Sequence, residues 1–128
     1  VDFTVTKGKV VWNKRPQAQD YAGASRYLDL VCALGEKQRI LKAYRRARPA
    51  MFAAKDLLRA SLLPLLPDDD AHVEADLKRV RKGRPLAPVL LVRGDASSAV
   101  PLTIADGYHR VCAICYFDEN EPVPCFLV

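Results

Sequence analysis

The chain has 128 residues, half of them hydrophobic and 27% charged, a size and balance that fit one folded domain with a usable core. No apolar run approaches the ~20 residues of a membrane helix, and the opening Val1-Asp2-Phe3-Thr4 is polar and strand-like, unlike a secretory leader; no membrane partner is expected. The net charge of +5 permits a polyanionic partner without requiring one.

Phe3 to Trp12 alternates around Lys7-Gly8-Lys9 and predicts a small hairpin. Asp20 is placed to cap a helix running to about Leu34, with Tyr21, Ala24, Tyr27, Leu28 and Val31 on one stripe and Gly35 as its terminator. A second helix is expected from Glu36 to about Ala47. Ile40, Leu41 and Tyr44 form its apolar side, and Lys37, Arg39, Lys42, Arg45 and Arg46 its basic side. A third helical stretch, about Ala53 to Leu62, points Leu57, Leu58 and Leu62 inward and is broken by Pro64 and Pro67. Asp68-Asp69-Asp70 opens a further helix with Val73, Leu77 and Val80 buried and Gly83 closing it.

The pattern then changes. Pro88-Val89-Leu90-Leu91-Val92 is a continuous apolar run of the kind buried on both faces of a sheet. A turn-like loop, Gly94 to Ala99, leads to a strand at Leu102 to Ala105. Next come a helix at Tyr108 to Phe117, a turn at Asp118 to Glu121 and a last strand at Val123 to Val128. The four cysteines, Cys32, Cys112, Cys115 and Cys125, all sit in apolar stretches. They read as buried thiols in a reducing compartment, and a cytoplasmic location is expected. Cys112-x-x-Cys115 has no second cysteine or histidine pair to complete a zinc site.

The most specific run is Leu102-Thr103-Ile104-Ala105-Asp106-Gly107-Tyr108-His109-Arg110-Val111-Cys112-Ala113. An apolar strand meets Asp-Gly, then His-Arg, then an apolar helix. A glycine turn lets the backbone approach a ligand, and the new helix presents unpaired N–H groups and the positive end of its dipole, a habitual phosphate site. Arg110 is positioned for a bidentate grip, and His109 to donate a hydrogen bond or move a proton. The plainer reading is a tight strand-to-helix turn with Asp106 as cap and Arg110 on the surface.

From about Lys55 to Val128 the chain resembles the ParB/sulfiredoxin superfamily. The matching pieces are Leu77 to Gly83, Pro88-Val89-Leu90-Leu91-Val92, Ile104-Ala105-Asp106-Gly107-Tyr108-His109-Arg110 and Val123-Pro124-Cys125. The resemblance covers somewhat more than half of the chain. It implies an α+β fold with a ParB/sulfiredoxin-like mixed sheet and flanking helices. One domain over 1–128 is expected, with a mostly helical N-terminal extension at 1–52 and the module at 53–128. It implies a nucleotide, di- or triphosphate with Mg²⁺, at Gly107, Tyr108, His109 and Arg110. Arg93 stands where sulfiredoxins carry a nucleotide-assisting lysine. Asp106 and His109 become the catalytic candidates: Asp106 orients Mg²⁺ or acts as a base, and His109 donates to phosphate.

Two departures narrow this. Tyr108 occupies the sulfiredoxin nucleophile position, so cysteine repair is not expected. Partition proteins of the family carry a helix-turn-helix domain after the module, whereas this sequence stops at Val128, so partition is not expected either. The expected function is binding of a nucleotide or other phosphorylated ligand, with nucleotide hydrolysis or small-molecule phosphotransfer as the accompanying chemistry. The alternatives are a non-catalytic DNA-associated or protein-interaction module, or a ParB-like nuclease drawing on Asp68 to Asp70 and Glu74. His72, in the first turn of its helix, reads as a surface residue, although in this fold that helix can border the nucleotide. Lys55 and Arg59 read as solvated. The basic stretches 37–48 and 78–84 make nucleic acid a secondary partner, since Tyr44 is the one aromatic in the first of them.

Overall fold

The computed structural model describes residues 9–128. The expected hairpin lies largely outside the described residues; of its span, Val10 enters the core and Trp12 forms an isolated parallel bridge with Leu86. The architecture is mixed α+β, with five helices among the described residues and a four-stranded mixed sheet.

Helix α1 covers Ala18–Val31. Asp20 lies inside its first turn, where its carboxylate reaches back to accept the Gln17 N–H at 2.6 Å, a favourable place for negative charge. Gly35 does not end this helix. Cys32 and Ala33 make the corner in extended conformations, which needs no glycine, and Gly35 sits in the first turn of α2, Leu34–Arg46. The buried line of α1 is narrower than the expected stripe. Asp20, Ala24 and Leu28 are buried, but Tyr27 and Val31 stay 44% and 50% exposed, because α1 meets the sheet along a single i, i+4 row.

Pro49 leads into a strand the sequence pattern does not announce. β1, Ala50–Ala53, is an edge strand of poor intrinsic preference held by antiparallel pairing of Ala50 with Cys125 and Phe52 with Val123. α3, Ala54–Ser61, stops at Leu62 in the left-handed region. The prolines at 64 and 67 then carry a loop that is tied down by two tyrosines further along the chain: Tyr108 donates to Pro64 O at 2.5 Å and Tyr116 to Leu66 O at 2.6 Å.

Asp70 caps α4, Ala71–Arg81, by accepting from the His72 and Val73 amides. Val73, Leu77 and Val80 form its buried stripe. At its far end Gly83 N–H bonds Val80 O and Arg84 N–H bonds Arg79 O, at 3.1 and 2.9 Å, with Gly83 at φ +70. This is the paired closure that a left-handed glycine permits. β2 is Val89–Val92, β3 Thr103–Asp106, α5 Tyr108–Phe117 and β4 Pro122–Leu127. A short 3₁₀ turn, Ala96–Ser98, fills the loop between β2 and β3.

Sheet order is β1-β4-β2-β3; β2 and β4 run parallel and the outer pairings are antiparallel. Alternation along the strands divides the core. Val89, Leu91, Ile104, Val123 and Cys125 join Leu57, Val111 and Ile114 on one side. Leu90, Ala105 and Phe126 join Ala24, Leu28 and Tyr44 on the other. The two N-terminal helices therefore form one layer and the later helices the other. A sheet covered on both faces explains why β2 reads as an unbroken apolar run. Among the described residues no helix is long and apolar enough to cross a membrane.

α2 is fastened to the sheet by Tyr44, which is fully buried and donates its hydroxyl to Leu91 O at 3.0 Å. That carbonyl also receives the Val128 amide at 3.3 Å, so losing the hydroxyl does not orphan it. Tyr44→Phe is expected to cost about 1 kcal/mol and Tyr44→Ala about 3–5 kcal/mol, read from urea unfolding midpoints at constant slope.

Candidate functional site

The strand-to-helix turn expected from the sequence is present. β3 ends at Asp106, Gly107 turns at φ +111, and α5 starts at Tyr108. The glycine is required twice over: its backbone lies in the left-handed region, and a Cβ there would collide with the Val89 side chain and crowd the Arg110 guanidinium. Because the N-cap is a glycine, no side chain caps the first turn of α5, which leaves its leading amides for another acceptor.

Arg110 does not point to an open anion site. Its Nη1 lies 3.1 Å from Asp20 Oδ1 and its Nη2 2.9 Å from Asp106 Oδ2, with Pro88 O 3.5 Å from Nη2. Its Nε is buried without a hydrogen-bond partner. The fork expected to grip phosphate is spent on two carboxylates from elements far apart in sequence. Asp106 is hemmed in on both oxygens. Oδ2 faces Arg110, and Oδ1 packs against Gly23 of α1, where a Cβ would collide with it. Burial pushes the Asp106 carboxyl up from the ordinary carboxylate value to about 6; Arg110 opposes that shift and the Asp20 charge adds to it.

His109, next to this cluster in sequence, meets His72. Their ring centroids are 4.8 Å apart, and the Tyr108 ring lies 5.8 Å from His109. Each histidine is the second residue of its helix, so the start of α4 and the start of α5 come within side-chain reach of one another. Asp76, one turn beyond His72, is half-buried. Burial raises its pKa, against the pull of Arg110, Arg79, His109 and His72. Sequence reasoning missed Asp76; the His72-x-x-x-Asp76 spacing on one helix face was the available signal.

Gly107, Tyr108, His109 and Arg110 are thus gathered with Asp106, Asp20, His72 and Asp76. Arg93 is not. Leu90 pairs with Asp106 across the sheet, so Arg93, one residue past the end of β2, lies three residues further along the chain, ~10 Å from that pairing. There it borders a separate concavity with Leu62, Gly94 and Pro101. Arg59 pairs with Asp56 at 3.0 Å. Among the described residues no group of three or more His, Cys, Asp or Glu side chains is arranged to hold a metal. With a guanidinium on one oxygen and a helix backbone against the other, Asp106 does not fit a Mg²⁺ ligand. The four thiols are free, and burial pushes Cys115 up to about 11 and Cys125 to about 12, which leaves them poor nucleophiles.

No protein-family model, curated protein or solved structure matches the chain.

Arg110→Ala leaves two neighbouring carboxylates without their shared cation, and a loss of about 3–5 kcal/mol in unfolding free energy is expected. Asp106 gives a second expectation. Its pKa is higher folded than unfolded, so its contribution to stability is full below the ordinary carboxylate value and is lost as pH rises through about 6. Melting temperatures taken between pH 4.5 and 7.5 should therefore fall less steeply with rising pH in Asp106→Asn than in the parent; parallel curves would refute the assignment.

Proposed function

We propose that this chain binds a phosphorylated small molecule, a nucleotide in the first instance, at the uncapped start of α5. The observation behind the proposal is the meeting of that helix N-terminus with the His72–His109 ring pair. Amide N–H groups and the helix dipole favour an anion there. Two imidazoles add donors that converge from two helices. The start of α4 is unavailable for the same purpose, since Asp70 already occupies its amides. The resemblance of Asp106-Gly107-Tyr108-His109-Arg110 to the ParB/sulfiredoxin motif supports a nucleotide over a simpler anion.

In this reading Arg110 is a positioning residue that holds the turn in shape, and His109 and His72 touch the ligand. Any turnover would be phosphoryl transfer or hydrolysis, a reaction governed by positioning and charge neutralisation. Asp106, with a pKa of about 6, lies directly behind the turn as a group able to hold or release a proton near neutrality. Mg²⁺ would enter on the ligand's own phosphates. A cytoplasmic setting suits the four free thiols.

Calorimetric titration with ATP, CTP, ADP and pyrophosphate tests the site. At least one should bind with a dissociation constant below about 1 mM, and His109→Ala and His72→Ala should each weaken it ~10-fold, about 1.4 kcal/mol. Absence of heat with all four ligands, or affinity unchanged in both variants, would sink the proposal.

A further inference from the structure

The outward face of α2 carries Arg39, Lys42, Arg45 and Arg46, all exposed, and none of them forms an ion pair among the described residues. The neighbouring cations are already committed. Lys37 pairs with Asp29 at 2.6 Å, and Arg15 donates to the carbonyls of Tyr44 and Arg45 at 3.3 and 3.2 Å. Arg39, Lys42 and Arg46 follow one another at three and four residues. They form a ridge whose charges repeat at roughly 4.5 and 6 Å along the axis, at ~1.5 Å per residue.

The face is grooved. Arg39, Lys42 and Arg46 line one concavity beside Val128, and Arg39, Lys42 and Arg45 line a second across the ridge. Arg45 also lines a third, whose other walls are Arg15, Ala18 and Tyr21. Shared lining residues set the three side by side as a track over α2, with cations between them and the partly buried Tyr21 at one end. Tyr44, the aromatic within the basic stretch itself, faces the core and takes no part; Tyr21 comes from the preceding helix.

We propose that this track binds single-stranded nucleic acid, with Arg39, Lys42, Arg45 and Arg46 on successive phosphates and Tyr21 as a stacking surface for a base. Repeated cations flanked by concavities, with a tyrosine at one end, match a polymer of phosphates and bases, whereas a flat bilayer surface would not enter the concavities. The surface is separate from the start of α5 and uses none of its residues, so the two proposals fail independently.

The test is fluorescence anisotropy of a labelled oligothymidylate of about 20 nucleotides, long enough to cover one such site. Two charge-matched triple variants are compared, R39E/K42E/R46E on the track and R81E/K82E/R84E on the other basic stretch, with melting curves to verify folding. The expected results are binding at low salt, a log–log salt slope near −3 for four phosphate contacts at about −0.7 each, and at least a tenfold loss in the track variant. The control variant should lose less than about a third of that on a logarithmic scale, because it removes the same charge from outside the contact. Tyr21→Leu, which keeps apolar bulk, should lose roughly tenfold through stacking. No binding at low salt, equal losses in the two triple variants, an unaffected Tyr21→Leu, or binding to phosphatidylserine vesicles without binding to the oligonucleotide would each overturn the proposal.

Discussion

A single guanidinium decides how the two halves of this molecule meet. Arg110 stands in the first turn of α5 and is held between Asp20 of α1 and Asp106 at the end of β3, at 3.1 and 2.9 Å. Without the cation, two part-buried carboxylates from opposite ends of the chain would face each other across the same space. With it, the N-terminal helices are locked in one register on the sheet. Two glycines make the arrangement sterically possible: Gly23 lets α1 come close to the Asp106 carboxylate, and Gly107 clears room for Arg110 and Val89. A buried ion cluster is weak evidence for net stability, since desolvation offsets much of the attraction. Its other effect is on docking, because moving α1 away takes Asp20 from Arg110 Nη1 and leaves the guanidinium with Asp106 as its remaining carboxylate partner.

That commitment reshapes the candidate site. Arginine is the usual choice for phosphate, and in isolation the Asp-Gly-x-His-Arg run suggests that use. Here both Nη groups are committed within the protein, and the groups still open to an anion are the amides at the start of α5 and the imidazoles of His109 and His72. On the proposed reading, such a site would bind by many modest donors in place of one strong charge pair, and its affinity would depend on how well the turn is held. Arg110 would then act on the ligand through geometry alone, since its Nη groups are held by Asp20 and Asp106. The raised pKa of Asp106 follows from the same packing: the burial that fixes the turn also makes its carboxylate reluctant to ionise.

Local structure was legible wherever the chain has one strong periodicity or one strong cap. α5 and the Asp70-capped α4 lie close to where the pattern puts them, as does the apolar β2. Apart from Gly35, displaced by a local extended corner at Cys32 and Ala33, what failed depended on partners distant in sequence. β1 has neither alternation nor β-branched residues and forms because β4 is there to pair with it. Tyr27 and Val31 match the helical stripe of α1, yet the helix buries only the Asp20, Ala24, Leu28 row and leaves them in solvent. At the site, the turn itself could be read from six residues, whereas the state of Arg110 could not, because its decisive partner lies 90 positions away. The His72–His109 pairing is of the same kind. Each histidine is unremarkable on its own helix and gains meaning only from the approach of the two helix starts.

α2 shows how one helix can answer two demands, and how to separate them. Its inner side is fixed by Tyr44, and Arg15, which also stacks over Phe126 at 5.0 Å, satisfies the carbonyls at its end. Cations in the last turn of a helix have a structural explanation, since each lowers the energy of the dipole by about 0.3–1 kcal/mol. Arg45 and Arg46 fall under it. Arg39 and Lys42 do not, because they lie in the middle of the helix, where the dipole offers nothing, and among the described residues neither has an acidic partner. Those two residues are where the walls of adjoining concavities coincide. The part of the basic face that helix energetics leaves unexplained is therefore the part best placed to meet a bound polyanion, which is why the charge on α2 is better read as a surface with a partner than as solvation alone.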